Sequence, residues 1–160
     1  MKFFEGKTEI NSAKIGIVVS RWNSSITQKM LEGAVEALKG NGIQDEDIIV
    51  ARCPGSYEIP LAAQQLIEHQ DVEGVVALGV VIRGGTPHFE YVCDAVNKGV
   101  LELNLRYQIP VAFGVLTTDD VKQALDRAGS KGNKGGEAAL ALLEMIDLGR
   151  KLTKHSNSSS

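Results

Sequence analysis

Residues 75–82, Val-Val-Ala-Leu-Gly-Val-Val-Ile, make an uncharged apolar run rich in β-branched side chains. Such a run suits a strand covered on both faces, as in a parallel sheet, better than the half-wetted strand of an antiparallel one. The next residues, Arg83-Gly84-Gly85-Thr86-Pro87-His88-Phe89, constrain the chain as much. Gly84-Gly85 lets backbone come close to a ligand. Thr86 is expected as an N-cap and Pro87 as the first helical residue. A helix that starts where a buried strand ends offers free amides and a positive dipole end to an anion. The Gly84-Gly85 turn and the free amides after it are therefore a candidate phosphate site, and His88 is a candidate proton-transfer group beside them. The plain alternative for His88 is a surface histidine in a first helical turn.

The same strand-then-helix pattern recurs along the chain. Lys14 to Ser20 reads as a buried strand. Ile26, Met30, Leu31, Ala34, Val35 and Leu38 then share a helical face that Gly40-Asn41-Gly42 ends. Asp47 to Cys53 reads as a second strand, with Pro54-Gly55 as a turn and a helix from Tyr57 to His69. After the run at 75–82, Phe89, Val92, Ala95, Val96, Gly99, Val100 and Leu103 share a face, and Pro110 to Val115 reads as a fourth strand. Thr117-Thr118-Asp119-Asp120 is expected to open a short helix, and Glu137 to Leu152 an amphipathic one after the glycine-rich stretch from Gly129 to Gly136. The expected fold is a three-layer α/β sandwich of flavodoxin-like type, with a central four-stranded parallel sheet and right-handed crossovers. One domain is expected over residues 1–152, with a disordered tail over 153–160. Phe3 and Phe4 have no evident place in such a sheet, so the N-terminal segment is expected to add a strand to a neighbouring subunit.

With 160 residues and a net charge of −3, the chain has enough length for one real core and no basic excess for nucleic acid. Cys53 and Cys93 lie among apolar residues without zinc-like spacing and read as reduced core thiols. His69, His88 and His155 are too scattered for a metal site, so no metal is expected. Neither G-x-x-x-x-G-K-[ST] nor G-x-G-x-x-G occurs, and Gly55-Ser56 fails the G-x-S-x-G pattern. No segment has the length of a signal peptide or membrane span, so a cytoplasmic location and no membrane partner are expected.

In a parallel sheet ligands bind beyond the carboxyl ends of the strands, and the unusual residues collect there. Trp22, the sole tryptophan, follows the first strand with Asn23. It suits stacking on a planar heterocycle as well as it suits a covering role. Ser56, Tyr57 and Glu58 follow the second strand, and Glu58 is either a first-turn carboxylate or an acceptor for a polyol. Phe113 and Gly114 are expected at the end of the fourth strand, with Phe113 reading first as core. One crevice is expected to use all these loops. Arg127, followed by Lys131 and Lys134 among glycines, is a candidate phosphate clamp, because guanidinium binds phosphate bidentately; the lysines read as charge alone or as solvated loop.

Taken together, Ser20-Arg21-Trp22-Asn23, Pro54-Gly55-Ser56-Tyr57-Glu58-Ile59-Pro60, Gly79 to His88 and Arg127 to Gly135 closely resemble the 6,7-dimethyl-8-ribityllumazine synthase family over roughly Phe3 to Leu152. The resemblance implies condensation of 5-amino-6-(D-ribitylamino)uracil with 3,4-dihydroxy-2-butanone 4-phosphate, the penultimate step of riboflavin biosynthesis, without metal or redox cofactor. It matches Trp22 to an aromatic that stacks on the pyrimidine. Asn23, Ser56, Tyr57 and Glu58 match the turns that hold the pyrimidine and ribityl chain, and Val80, Val81 and Ile82 the strand end lining the pocket. Phe113 matches another pocket position. His88 matches the proton-transfer residue, and Gly85, Thr86, Arg127 and Lys134 the phosphate site, with Arg127 reaching from an adjacent subunit. The implied assembly is a homopentamer, with pentamers either free or closed into an icosahedral shell, and riboflavin synthase as a further partner. The glycine-lysine loop is one residue shorter than the family's common G-T-K-A-G-N-K-G, and its length bears on shell closure.

Three other functions fit parts of the pattern: a flavodoxin-type flavin carrier, a riboflavin synthase of archaeal type, and a shell with a vestigial site. His88 and Arg127 have no evident role in the first, and the intact site positions disfavour the last.

Overall fold

A computed structural model describes residues 1–158, with side chains to residue 154. Four strands, β1 (Ile15–Ser20), β2 (Ile48–Cys53), β3 (Gly74–Ile82) and β4 (Val111–Thr118), form one parallel sheet in the order β2-β1-β3-β4. Its inner strands are buried along almost their whole length, whereas edge strand β2 is half-wetted, with Val50 and Arg52 exposed. The continuous apolar runs of β1 and β3 thus mark the centre of the sheet.

Helices α1 (Ser24–Gly40) and α5 (Lys134–Ser158) cover one face, and α2 (Ile59–His69) and α3 (His88–Tyr107) the other. In α1 the buried residues Ile26, Met30, Leu31, Ala34 and Leu38 are the expected helical stripe, and the helix ends at Gly40. Buried Val92, Val96, Val100 and Leu103 make the corresponding stripe of α3. A four-stranded parallel α/β sandwich of flavodoxin-like type is what the sequence led one to expect.

Several boundaries differ from expectation. β4 runs on through Thr117 and Thr118, whose β-branched side chains complete the ladder opposite Val81 and Ile82. The cap of α4 (Val121–Asp126) is instead Asp120, whose carboxylate accepts from the Gln123 amide at 2.8 Å. The glycine-rich stretch expected before the last helix holds a tight hairpin, β5 (Ala128–Gly129) with β6 (Gly132–Asn133), and α5 starts at Lys134. Gly135 is helical because α5 crosses α1 there: a Cβ on it would stand 2.0 Å from the Met30 carbonyl oxygen. Close helix contact outweighs the poor helix propensity of glycine. A short 3₁₀ turn, Ser56–Glu58, precedes α2.

Met1 to Lys14 contributes no strand to this sheet. It is held along α5, where the Lys7 amide donates to Asp147 at 2.8 Å and Lys151 Nζ donates to the Glu5 carbonyl at 2.9 Å. Phe3 is exposed, while Ile10 is buried in the core. The tail expected over 153–160 lies at the limit of the described residues: α5 is described to Ser158, and residues 159 and 160 lie outside them.

Candidate active site

Parallel register brings the ends of β1 and β2 together, with Ser20 opposite Cys53. The turns that follow are stitched by main chain: the Arg21 amide donates to the Cys53 carbonyl at 2.8 Å and the Trp22 amide to the Pro54 carbonyl at 3.0 Å. Asn23 adopts a left-handed conformation, φ 63°, which asparagine tolerates well. Its carbonyl opens α1 by accepting from the Ile26 and Thr27 amides, and its side chain makes no cap. Trp22 is 64% exposed and Tyr57 likewise, so neither is core. The indole lies against Gly55, close enough that a Cβ there would meet ring carbons at 2.3 and 2.5 Å.

Ser56 is buried and its hydroxyl donates to the Val80 carbonyl at 3.2 Å, tying the second turn to β3. Beside it Glu58 is half-buried, and its Oε2 is sequestered without a hydrogen-bond partner, as is Ser20 Oγ. These are the partnerless buried side-chain polar atoms among the described residues, and both belong to this cluster. Buried polar atoms are normally paired, so an unpaired pair at a strand end has unspent capacity for a ligand's donors. Cys53, at the base of the cluster, has its thiol pushed up to about 11 by burial first and by the Glu58 charge second. The side chains of Val80 and Val81 point into the two opposite cores and Ile82 is half-buried, so along this strand end it is backbone that faces the turns.

The turn from Arg83 to Pro87 is exposed, with open space around Gly84 and Gly85. Thr86 does not cap α3. Pro87 takes the N-cap position, φ −70° and ψ 3°, and no side chain bonds the first-turn amides. Proline has no side-chain acceptor, and the exposed Thr86 does not fold back. His88 opens the helix and is exposed. Sequence reading missed what braces this turn: Arg83 Nε donates to Asp119 at 3.0 Å, its Nη1 donates to Glu90 at 2.6 Å, and its guanidinium lies 4.4 Å from the Phe89 ring centre. The spacing of a cation at the strand end from a carboxylate in the next helix's first turn was the available signal.

Phe113 does not stand at a strand end. It is half-buried within β4, level with Ala77 and three residues below the partner of Val80, about 10 Å down the strand. With Phe89, Glu90, Cys93, Asp94, Asn97 and Thr117 it lines a separate groove of 430 Å³. Cys93 is thus half-buried at a groove, and both thiols are free. Because β4 and β2 are opposite edges of the sheet, Phe113 is three strands away from Ser56, Tyr57 and Glu58. Arg127 ends α4 and is exposed, with Nη1 donating to the Gln123 carbonyl at 3.0 Å. Its own carbonyl accepts from the Lys134 amide at 2.8 Å, and Lys134 is half-buried in the first turn of α5. One chain therefore carries a cluster of Trp22, Asn23, Ser56, Tyr57 and Glu58 at one side and Phe113 with Arg127 on or after the far edge strand. The single crevice expected from the four loops is not formed within one chain.

The family model for 6,7-dimethyl-8-ribityllumazine synthase matches residues 12–150. The chain belongs to the lumazine synthase family. As such it is a transferase of riboflavin biosynthesis acting on small molecules. The matched span runs from the start of β1 to the middle of α5 and contains both groups of site residues, while the segment lying along α5 falls mainly outside it. Among the described residues no three His, Cys, Asp or Glu gather to hold a metal, and no helix is long and apolar enough to cross a membrane.

Proposed function

We propose that this lumazine synthase condenses 5-amino-6-(D-ribitylamino)uracil with 3,4-dihydroxy-2-butanone 4-phosphate, forming 6,7-dimethyl-8-ribityllumazine with release of phosphate and water. The observation that carries the substrate assignment is the strand-end cluster: an exposed indole beside a buried carboxylate oxygen and a buried hydroxyl, both unpaired. A planar pyrimidine rich in N–H groups, with a polyol chain, suits that combination. Trp22 stacks on the ring, Glu58 accepts from its donors, and Asn23, Ser56, Tyr57 and the backbone of Val80, Val81 and Ile82 line the rest.

The second substrate brings a phosphate. Gly85 and Thr86 lie in an exposed turn leading to first-turn amides of α3 that no side chain caps, the arrangement an anion uses. Arg127 clamps the same phosphate from a neighbouring subunit, with Lys134 adding charge. The distance between the two edges of the sheet is what supports a shared site, with each chain giving its Trp22–Glu58 side to one interface and its Phe113–Arg127 side to the next. A closed ring of this kind is heterologous, and a pentamer fits it. The N-terminal segment adds a strand to the neighbour's sheet, and pentamers closing into an icosahedral shell, with riboflavin synthase as a companion, extend the same reading. The domain runs over residues 1–152 and acts in the cytoplasm.

The reaction begins with the amine attacking the ketone, and loss of water gives an imine. Phosphate then leaves, the resulting enol tautomerises, and the second nitrogen closes the ring with loss of a further water. His88 moves protons at the carbon and oxygen centres, and Arg127 stabilises the departing phosphate. Most of the acceleration comes from holding two substrates in contact, and neither metal nor redox cofactor takes part.

The test is to mix purified protein with both substrates and follow lumazine absorbance and fluorescence against the spontaneous reaction and His88→Ala. Acceleration that falls by about 10²-fold or more without abolition in His88→Ala is expected, the range of general acid–base help. A rate equal to the spontaneous one from folded protein overturns the reading and leaves a flavin carrier or an inert shell.

A further inference from the structure

Asn133, the last residue of the β5–β6 hairpin, has an unusual concentration of bonds on one half-buried side chain. Its Nδ2 donates to the Lys29 carbonyl of α1 at 3.0 Å and to the Ala128 carbonyl at 3.2 Å, and its Oδ1 accepts from the Gly136 amide at 3.1 Å. Both amide hydrogens are used. The fit to α1 depends on Gly33: a Cβ there would stand 2.4 Å from Cγ and Oδ1 of Asn133. Ala128 directly follows Arg127, and the next residue after Asn133, Lys134, donates its amide to the Arg127 carbonyl at 2.8 Å. One side chain therefore fastens the two ends of the hairpin to each other, to α5 and to α1.

We infer that Asn133 is the positioning residue for Arg127, fixing the backbone from which the guanidinium reaches the phosphate substrate; this rests on the clamp role proposed above for Arg127. Among the described residues the guanidinium itself has one bond, to the Gln123 carbonyl, so its reach is set by the main chain that carries it. A long exposed side chain on a loose base spreads over many positions, and misplacement of a binding group by about 1 Å is enough to cost much of its effect. α1, to which Asn133 is tied, starts directly after Trp22 and Asn23. The arginine group and the aromatic group of one chain are thereby referred to the same helix.

The test uses the full-length assembled enzyme and steady-state kinetics with each substrate varied in turn, with inorganic phosphate as a competitive probe. Asn133→Ala, and Asn133→Asp, which keeps the acceptor for Gly136 and loses both donations, should raise KM for the butanone phosphate about tenfold and weaken phosphate inhibition in parallel, leaving the KM for the pyrimidine unchanged. Gly33→Ala evicts the Asn133 side chain without changing the hairpin's own sequence and improves helix propensity, so it should fold and show the same selective rise. In the Asn133→Ala background Gly33→Ala should add nothing, because the two act through one contact. The inference is overturned if Arg127→Ala raises the phosphate-substrate KM and Asn133→Ala or Gly33→Ala does not. It is equally overturned if both KM values rise together with a falling Tm, the signature of general loosening. An unchanged KM in Arg127→Ala removes the clamp reading and, with it, the role of Asn133.

Discussion

The indole of Trp22 lies against Gly55 so closely that a methyl group there would stand 2.3 Å from Cε3. The backbone at Gly55, φ −133° and ψ −178°, is one that any residue can adopt, so the ring and not the turn requires glycine. Gly55→Ala should fold normally, swing the indole off its seat and raise KM for the pyrimidine about tenfold, the order of one lost stacking contact. Trp22 is the single tryptophan, so its emission reports the displacement directly. Wild-type emission and wild-type pyrimidine affinity in Gly55→Ala would contradict a placed stacking ring.

Cys53 gives a readout of the charge on Glu58. Burial and, second, the Glu58 carboxylate raise the thiol to about 11 from an ordinary 9.0. Alkylation of Cys53 should accordingly be slow at pH 8, and Glu58→Gln should lower the thiol's titration midpoint, as measured by thiolate absorbance. Because the folded value is the higher one, the unfolded chain loses its proton first as pH rises. The stability contributed by the protonated thiol is complete below pH 9.0 and is lost as pH climbs through about 11. Cys53→Val should flatten that alkaline loss in urea unfolding curves.

Arg83 joins the end of β3 to Asp119 and to Glu90 in the first turn of α3, and so spans the turn of residues 84–88. Its pairs are exposed, and removing them with Arg83→Gln should change Tm little while loosening residues 84–88. Turnover should fall more than stability, and hydrogen exchange at the first-turn amides of α3 should quicken. The Arg83 guanidinium holds the Glu90 carboxyl below its usual range. The Glu90 tie is therefore complete above the ordinary value of 4.5 and is lost as pH falls through the lower folded one, so exchange in wild type should quicken as pH drops below 4.5. A Tm loss matching the loss of activity would make Arg83 a structural residue only.

The sheet was legible because burial on both faces leaves continuous apolar runs, and β1 and β3 are written in that code. Helical faces in α1 and α3 were legible for the same reason. Local chemistry misled wherever a distant partner decides the outcome. Gly135 looked like loop because the Met30 carbonyl it must pass lies far away in sequence, and Thr117-Thr118 looked like a helix start because their ladder partners in β3 are likewise remote. The site shows the same division. Trp22, Ser56 and Glu58 could be singled out because they follow strand ends, while Arg83 and Asn133 act through contacts across 36 and 104 residues that no local pattern carries. Phe113 was visible as an unusual residue, but its level in the sheet depends on register.

The fastening of residues 5–7 to Asp147 and Lys151 joins segments 140 and 146 residues apart in the chain. During translation the opening segment emerges long before α5 exists to receive it, since domains are made from the N-terminus onward. Throughout that interval the Lys7 amide and the Glu5 carbonyl lack the partners that α5 supplies. The moment at which α5 leaves the ribosome thus sets the earliest time at which these two contacts can form.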